Sequence, residues 1–466
     1  MADRLSAPPP PAPEPPGSSR PAQRHDTYQA VLDGDTDGVP ETFRLLGPRD
    51  FSDSGIPIDR YLRREYHELE KERLWRRVWQ VACREEEIPE VGDSIVYEIC
   101  DDSIVVVRER AGAGGIRAFH NSCLHRGRTI RDGPGRLTEL RCPFHGFTWN
   151  LDGSLAYVPS KWDFPSVDCE GFSLPEVQVG TWGGFVFVNM DPECESLGDF
   201  LGVLPSLFSR WPLDDRYTEQ RVTKVMRANW KVVQEAFMES FHVAATHPQL
   251  LPGFGDANSQ YDVFGNVARA ISAGAVPSPH LSWTPTEQEI LDALLDRRFD
   301  DPRAAEVPPD TTARSALASI ARARLRRVVG DAADALTDAE LADSIYFTVF
   351  PNFHPWGAYN RLSYRFKPNG DDHESCEMEV RLLAPFSGDR PPPAQPIRLG
   401  PDDPWTSVPE LGNLARVFDQ DDHNIVRVQK GLRASRRRVV TLARYQETKI
   451  RHFHLLYEQW LGIDRE

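Results

Sequence analysis

The sequence lacks several features that define large classes of protein. No apolar run reaches the length of about eighteen residues that a membrane span needs, so we predict no membrane segment. The amino terminus has no basic stretch followed by an apolar core, so we expect no secretory signal. The formal charge of −16 argues against a nucleic-acid partner, because such a surface needs basic patches. No G-x-G-x-x-G fingerprint occurs, so we expect no nicotinamide or flavin site.

Cysteine is also scarce. Seven cysteines in 466 residues form no dense disulfide framework, and the odd number leaves one of them unpaired. We therefore expect a reducing, cytoplasmic setting, in which clustered Cys and His bind metal. The cysteines without ligand spacing are predicted to be small buried hydrophobic residues; they are Cys83, Cys100, Cys169, Cys194 and Cys376.

Changes in composition and periodicity divide the chain into four parts. Residues 1–45 begin with a proline-rich stretch and are predicted to form a disordered tail. Residues 46–84 form a helical segment that packs on the last domain, and residues 85–193, with short strands and glycine turns, form an all-β module. Residues 194–466 form the last domain, with a helical insertion at about 281–343. This insertion is either a lid over a substrate channel or a subunit contact.

The most specific pattern lies inside the all-β module. Cys123-Leu-His125 is followed, after sixteen residues, by Cys142-Pro-Phe-His145. Two such pairs at the tips of loops can hold a dinuclear iron–sulfur cluster, with two thiolates on one iron and two imidazoles on the other. The alternative is a zinc site with two Cys and two His, because zinc accepts the same ligand types.

A second pattern runs from Asn229 to Pro248. Its apolar residues recur at steps of three and four, which predicts a helix with Glu235, Glu239 and His242 along one stripe. His247 precedes Pro248, so the helix should end there and the two imidazoles can approach each other. Two histidines would supply half of a metal site. The alternative is an amphipathic helix whose polar flank carries two incidental histidines.

The two motifs together resemble a known family. Cys123-x-His125-Arg-Gly with Cys142-Pro-Phe-His145-Gly resembles the Rieske [2Fe-2S] signature. With Glu239-x-x-His242-x4-His247-Pro248 downstream, the chain resembles the catalytic alpha subunit of a Rieske non-haem iron oxygenase, the ring-hydroxylating family. The resemblance implies an α+β fold with an all-β Rieske module and a helix-grip catalytic domain. It also implies a cluster on the two Cys–His pairs and a mononuclear non-haem Fe(II) on His242 and His247.

The resemblance also suggests the remaining site residues. In many family members the third iron ligand precedes a Gln-x-Gly-Leu run by eight residues, which selects Asp421, with its neighbour Asp422 as the alternative. Glu239 occupies the position of a family aspartate that links a Rieske histidine of one subunit, here His145 or His125, to an iron ligand of the next, here His242. Glu235 is a supporting carboxylate or a pocket residue. Two further histidines are assigned no ligand role: His423, expected to be exposed, and His354, expected to be structural or pocket-lining.

The predicted function is that of a terminal oxygenase. Electrons from NAD(P)H would arrive through a separate reductase, with or without a ferredoxin. O2 would then be used to cis-dihydroxylate or monooxygenate an aromatic or other apolar substrate, as in aromatic hydrocarbon catabolism. We expect a head-to-tail homotrimer, with or without a small beta subunit. Predicted pocket walls are Phe237, Phe241, Val243, Phe350, Phe353 and Phe418.

Two alternatives to this function stay open. One is a Rieske monooxygenase or demethylase acting on an amine, an ether methyl group or a steroid-like compound. The other is a non-catalytic Rieske electron-transfer protein.

Overall fold

A computed structural model describes residues 27–35, 38–48, 51, 54–112, 114–167, 171–295 and 305–463. Most of the predicted tail, residues 1–26, lies outside this part of the chain, as does Cys169. The prediction of a tail as far as residue 45 was too long. Tyr28, Leu32 and Phe43 are buried on two short helices, and the hydroxyl of Tyr28 donates to Asp343 at 2.7 Å.

Helices are distributed along the whole described chain. They are α1 Tyr28–Asp33, α2 Glu41–Arg44, α3 Asp59–Leu62, α4 Arg64–Glu70, α5 Leu197–Leu201, α6 Leu204–Leu207, α7 Trp230–Glu235, α8 Val243–Thr246, α9 Glu287–Leu294, α10 Ala313–Val329, α11 Asp338–Ala342, α12 Asn413–Ala434 and α13 Thr448–Leu461. A wider turn over Lys71–Trp75 continues α4. No helix in the described ranges is both long and apolar enough to cross a membrane.

The strands fall into two large and two small sheets. They are β1 Ile56–Pro57, β2 Gln80–Arg84, β3 Asp93–Ile99, β4 Asp102–Arg108, β5 Ile116–His120, β6 Gly135–Arg136, β7 Leu140–Arg141, β8 Thr148–Trp149, β9 Leu155–Tyr157, β10 Glu176–Trp182, β11 Phe185–Asn189, β12 Arg216–Met226, β13 Phe254–Phe264, β14 Val267–Gly274, β15 Ser344–Val349, β16 Phe353–Pro355, β17 Leu362–Asn369, β18 Asp372–Pro385, β19 Ile397–Leu399 and β20 Val439–Val440.

The first large sheet belongs to the predicted all-β module, in the order β2-β11-β10-β5-β4-β3-β6, and β7-β8-β9 form a small sheet beside it. Alternation along β4 gives this sheet two buried faces. Ile104 and Val106 join the main core, while Val105 and Val107 pack into a second core with Cys123 and Cys142. Since β2 pairs with β11, the module begins at about residue 80, upstream of the predicted residue 85.

The second large sheet has the order β13-β14-β15-β16-β17-β18-β12-β19, and only the edge strand β19 runs parallel to its neighbour β12. Helix α7 packs on β17 and β18, and α13 packs on β13 and β14. The two helices meet where the ring of Phe453 stands perpendicular to that of Trp230 at 5.7 Å. A sheet wrapped around helices is the predicted helix-grip arrangement, and the predicted α+β class is confirmed.

The run from Asn229 to Pro248 is not the single helix that its periodicity predicts. Helix α7 ends at Glu235, and α8 begins only at Val243. Side chains bind the backbone between them: Glu239 accepts from the amide of His242 at 2.9 Å, and Tyr261 accepts from the amide of Ser240 at 3.2 Å. These contacts replace intrahelical hydrogen bonds, as short-range side-chain acceptors can. The predicted end before Pro248 agrees with the non-helical backbone of His247.

The last part of the chain differs from expectation in one of its two helices. The sequence predicts closing helices at roughly 411–434 and 436–461; the first agrees with α12, but α13 begins only at Thr448. The intervening β20 instead pairs with β1 near the amino terminus. This pairing depends on residues almost 400 positions away in the chain, so local periodicity cannot reveal it.

Candidate metal centres and cavity

The two Cys–His motifs form the same turn twice. In the first, the amide of Gly127 donates to the carbonyl of Cys123 at 2.9 Å; in the second, the amide of Gly146 donates to that of Cys142 at 3.0 Å. Both glycines have a left-handed backbone, with φ of 75° and 77°. A side chain at either position would be strained, which explains why each motif ends in glycine.

These turns bring the four predicted cluster ligands to one place. Cys123 and Cys142 are buried and their thiols lie within hydrogen-bonding reach of each other, while the rings of His125 and His145 are 4.6 Å apart. The buried Nδ1 atom of His125 has no hydrogen-bond partner among the described residues. A buried polar atom without a partner calls for an explanation, and a metal supplies one. Two thiols beside two imidazoles fit a Rieske cluster.

The second candidate centre joins residues 242, 247 and 421. One ligand atom from each of His242, His247 and Asp421 lies within 4.8 Å of the others. Oδ1 of Asp421 is 2.9 Å from Nε2 of His247 and 3.6 Å from Nε2 of His242. Two imidazoles and one carboxylate are the donor set of oxygen-activating non-haem iron sites.

Supporting side chains orient both imidazoles. Nδ1 of His242 is 2.8 Å from Oε1 of Glu239, and Nδ1 of His247 is 2.8 Å from Oε1 of Gln420. Both partners are acceptors, so we assign a proton to Nδ1 of each ring. Nε2 of each ring is then the atom left to bind a metal, and both Nε2 atoms face Asp421. Two Nε2 atoms and a carboxylate oxygen that face one point fit a metal ion.

The protonation of His242 is set by its surroundings. Burial lowers its pKa, but the adjacent carboxylate of Glu239 outweighs this effect and raises the pKa to about 9. A metal ion would displace the Nε2 proton from this ring, while the Nδ1 proton would stay on the ring and donate to Glu239.

The other predicted residues lie elsewhere. Asp422 is ion-paired with Lys224 at 2.5 Å and His423 is exposed. His354 is buried 3.2 Å from the hydroxyl of Thr348 and 3.3 Å from Oε1 of Gln234. Glu235 points away from the trio and accepts from the hydroxyl of Tyr61 at 3.0 Å.

A cavity of about 530 Å³ opens in front of the trio. Of the predicted walls, Phe237, Val243 and Phe418 line it, whereas the other three do not. Phe241 is exposed, while Phe350 packs on Phe453 and Phe353 packs on Phe185. The aromatic pattern alone cannot separate these cases, because core and pocket positions have the same residue types.

Sequence reasoning missed several residues of this site. Gln420 contacts Nδ1 of His247 and is adjacent to Asp421 in the chain. A polar amide beside the predicted ligand is the one sequence feature that could have indicated this role. Tyr346, Trp356 and Tyr364 line the cavity from the sheet. Tyr346 lies on β15 and Tyr364 on β17, with β16 between these strands, and the alternation of side chains along each strand could have indicated them. The helical insertion also contributes to the cavity through α9 and α10.

Comparison with known families agrees with both centres. Residues 208–463 match the model of the ring hydroxylating alpha subunit (catalytic domain), and residues 78–168 match the Rieske [2Fe-2S] domain. The second match excludes the zinc alternative. Both confirm the family resemblance and the predicted cofactor classes, a [2Fe-2S] cluster and a mononuclear iron.

Individual relatives extend the comparison. The chain is 32% identical over 205 residues to the oxygenase subunit of carnitine monooxygenase from Escherichia coli K12, which covers 43% of this chain and 53% of that protein. The chain thus spans about half the length of the curated relatives that it matches.

Two solved structures share the fold. A quaternary ammonium Rieske monooxygenase with a bound inhibitor superposes with a TM-score of 0.60 at 20% identity, over 91% of this chain and 99% of that one. Naphthalene 1,2-dioxygenase with bound phenanthrene gives 0.61 at 18% identity, over 88% and 94%. With its catalytic-domain match covering more than half of its length, this chain belongs to the ring-hydroxylating alpha-subunit family and carries a Rieske [2Fe-2S] domain upstream.

Proposed function

We propose that this protein is the terminal component of a Rieske oxygenase system, which hydroxylates an organic substrate with O2 and electrons from NAD(P)H. The observation that carries the proposal is the convergence of His242, His247 and Asp421 at the inner wall of a largely apolar cavity. A pure electron-transfer protein has no use for such a cavity. Because the chain holds no dinucleotide fingerprint, a separate reductase, with or without a ferredoxin, would deliver the electrons.

The residues have distinct roles in this proposal. Cys123, His125, Cys142 and His145 would hold the cluster, and His242, His247 and Asp421 would hold the iron. When bound, the cluster supplies single electrons and the iron activates O2. Glu239 and Gln420 keep the Nδ1 protons of the two imidazoles in place, so that both Nε2 atoms stay directed at one point. The aromatic walls exclude water from the reacting end of the substrate.

Glu239 would also connect subunits. Its side chain is 9% exposed beside His242, so we propose that a histidine at the tip of a neighbouring Rieske module reaches it. Large apolar side chains are exposed on both domains: Phe144, Tyr157 and Trp162 on the Rieske module, and Phe241, which precedes His242, and Trp283 on the catalytic domain. A head-to-tail contact between two different surfaces closes into a ring, and we propose a homotrimer, with or without a beta subunit.

The substrate is proposed to be a small organic molecule that presents an apolar or cationic end to the iron. Phe237, Trp356, Tyr364 and Phe418 make edge-to-face or tilted contacts with one another around the cavity. Such rings bind an aromatic substrate, and their faces also attract a quaternary ammonium group. The second choice, a monooxygenase acting on a quaternary amine, is favoured by the likeness to carnitine monooxygenase.

Single-turnover product analysis tests the activity. The holoprotein would be reduced with dithionite, mixed with oxygenated buffer containing naphthalene, anthranilate, glycine betaine or L-carnitine, and its products identified by mass spectrometry. We expect stoichiometric hydroxylated or demethylated product from at least one compound and none from His242→Ala. The absence of product with every compound, despite oxidation of the reduced cluster, would count against the proposal.

Mixed oligomers test the ring. Cys142→Ser removes the cluster, His242→Ala removes the iron, and each variant alone should be inactive. Hybrids refolded or co-expressed from both variants should regain activity if electrons cross between subunits. Hybrids that stay inactive would place both centres in one electron path within a single chain.

A further inference from the structure

One face of α10 lines the cavity in front of the metal trio. Leu317, Ile320, Ala321 and Arg324 follow at steps of three, one and three residues, which places them on one stripe of the helix. Three apolar residues cover the cavity, and the fourth brings a guanidinium group to its wall. The neighbouring arginines of α10 do not line the cavity; they are Arg322, Arg326 and Arg327.

The position of Arg324 relative to the metal trio follows from a second cavity. A space of about 790 Å³ adjoins the first and shares with it Ala321, Arg324, Ser344, Asn360, Arg361 and Glu410. His242, His247 and Asp421 line only the first, inner cavity and not the second, outer one. The shared wall is therefore the part of the inner cavity that borders the outer one, and none of these three residues lies on it.

Two guanidinium groups line this wall from different elements. Arg324 comes from the insertion, and Arg361 precedes β17 of the sheet. Both residues are exposed, and partial desolvation together with the charges of Arg361 and Arg327 lowers the pKa of Arg324. Arg361 is ion-paired with Glu219, which lines only the outer cavity, and Glu410 adds one exposed carboxylate to the shared wall.

We propose that Arg324 and Arg361 bind a carboxylate at the far end of the substrate, so that the protein acts on organic acids. This inference rests on the proposed function and defines its substrate class. A guanidinium fork matches a carboxylate in charge and geometry. An anion between the two groups would contact two positive charges, while the opposite end of the same molecule would lie among the aromatic rings beside the metal trio. Arg326 and Arg327 do not line the cavity, so they could not contact a substrate in this way.

Ligand affinity measured on the resting holoprotein, without reductant, tests this inference independently of catalysis, because no turnover occurs without electrons. Titration calorimetry would compare two matched pairs: glycine betaine with choline, and anthranilate with anthranilamide. In each pair the ends directed at the rings are alike, but only the first member has a carboxylate. We expect at least one carboxylate to bind more tightly than its partner, and Arg324→Gln to weaken that binding about tenfold or more while leaving the partner unchanged.

Matched variants give the control. Arg327→Gln removes a charge from the same helix without touching the cavity wall, and it should leave both affinities within about twofold. Arg324→Lys should restore part of the carboxylate preference, because it keeps the charge but not the fork. The inference is overturned if neither carboxylate binds preferentially, or if Arg324→Gln and Arg327→Gln weaken binding equally. Carboxylate binding without any turnover would instead contradict the proposed function.

Discussion

Nε2 of His247 lies 2.9 Å from Oδ1 of Asp421, while Nδ1 of the same ring lies 2.8 Å from Oε1 of Gln420. Gln249 donates to the same Gln420 oxygen, which marks that oxygen as the acceptor. The ring proton therefore belongs on Nδ1, and a lone pair faces the carboxylate. Two electron-rich atoms at this distance repel each other unless a cation lies between them.

Asp421→Asn should remove the mononuclear iron and spare the cluster. Iron content should fall from about three to about two atoms per chain, with the visible cluster spectrum unchanged. Activity should fall by more than the roughly 10- to 100-fold that loss of a group supporting a ligand costs. The matched control is Asp422→Asn, which breaks the ion pair with Lys224 but should retain all of its iron. If Asp422→Asn lost its mononuclear iron while Asp421→Asn kept it, Asp422 would be the iron ligand.

Glu239→Gln should slow electron transfer more than it weakens iron binding. The amide can still contact Nδ1 of His242, but it lacks the charge that stabilises this imidazole. We expect re-oxidation of the reduced cluster to slow by about 10- to 100-fold in stopped-flow single turnover, with iron content preserved. The rate of cluster re-oxidation in Glu239→Asp should lie between those of the wild type and Glu239→Gln. A wild-type rate in Glu239→Gln would rule out the proposed link through Glu239 between the cluster of one subunit and the iron of the next.

Lys231→Met should destabilise the catalytic domain by about 3–5 kcal/mol, because it leaves the buried carboxylate of Glu70 without a counter-charge. Lys231 and Glu70 form an ion pair between α7 and α4 that is almost completely inaccessible to solvent. Lys231→Met combined with Glu70→Gln should recover most of the loss, since the amide oxygen can accept from Trp230 while the amide NH2 group donates to the hydroxyl oxygen of Tyr457. Denaturant unfolding followed by tryptophan fluorescence measures the difference. Equal stability of the single and double variants would contradict it.

Glu235 should make folding stability depend on pH. Burial raises its pKa from the ordinary 4.5 to about 8, against the opposing effects of Tyr61 and Lys231. Between these values the unfolded chain has released a proton that the folded chain retains. Stability therefore falls as pH rises through this window, by at most about 1.4 kcal/mol per pH unit.

Glu235→Gln should remove that contribution. The Tm of the variant relative to the parent should be higher at pH 7.5 than at pH 5.5. Glu193→Gln, which changes an exposed carboxylate, should shift Tm by the same amount at both pH values. A pH-independent difference for Glu235→Gln would show that this carboxyl group is ionised in the folded protein.

The cluster motif was the easiest part of the site to predict. Its ligands lie within two short loops, and each loop is closed by hydrogen bonds between residues four or five positions apart. Such local turns are encoded by local residues, above all by the glycines at 127 and 146. The helix from residue 229 shows the opposite case. Its periodicity is helical throughout, yet contacts of Glu239 and Tyr261 with the backbone divide it.

The choice between Asp421 and Asp422 shows the limit of what residue spacing in the sequence can predict. Adjacent residues on α12 point in directions about 100° apart, so a one-residue uncertainty in the helix decides which one faces the histidines. In the structure Lys224, from β12, contacts Asp422, and Asp421 turns towards His247. The cavity walls were predicted for only three of six residues, because an aromatic side chain packs equally well in a core.

The sequence by itself determined the family and the cofactor classes and singled out His242 and His247 as candidate ligands, because each depends on residue types at short, fixed spacings. Tertiary structure alone decided which carboxylate joins those histidines, which aromatic rings face the cavity and that Arg324 and Arg361 line the wall that it shares with the outer cavity. These relationships connect strands and helices that are distant in the chain. Their geometry depends on the packing of the whole domain, and no local pattern contains it.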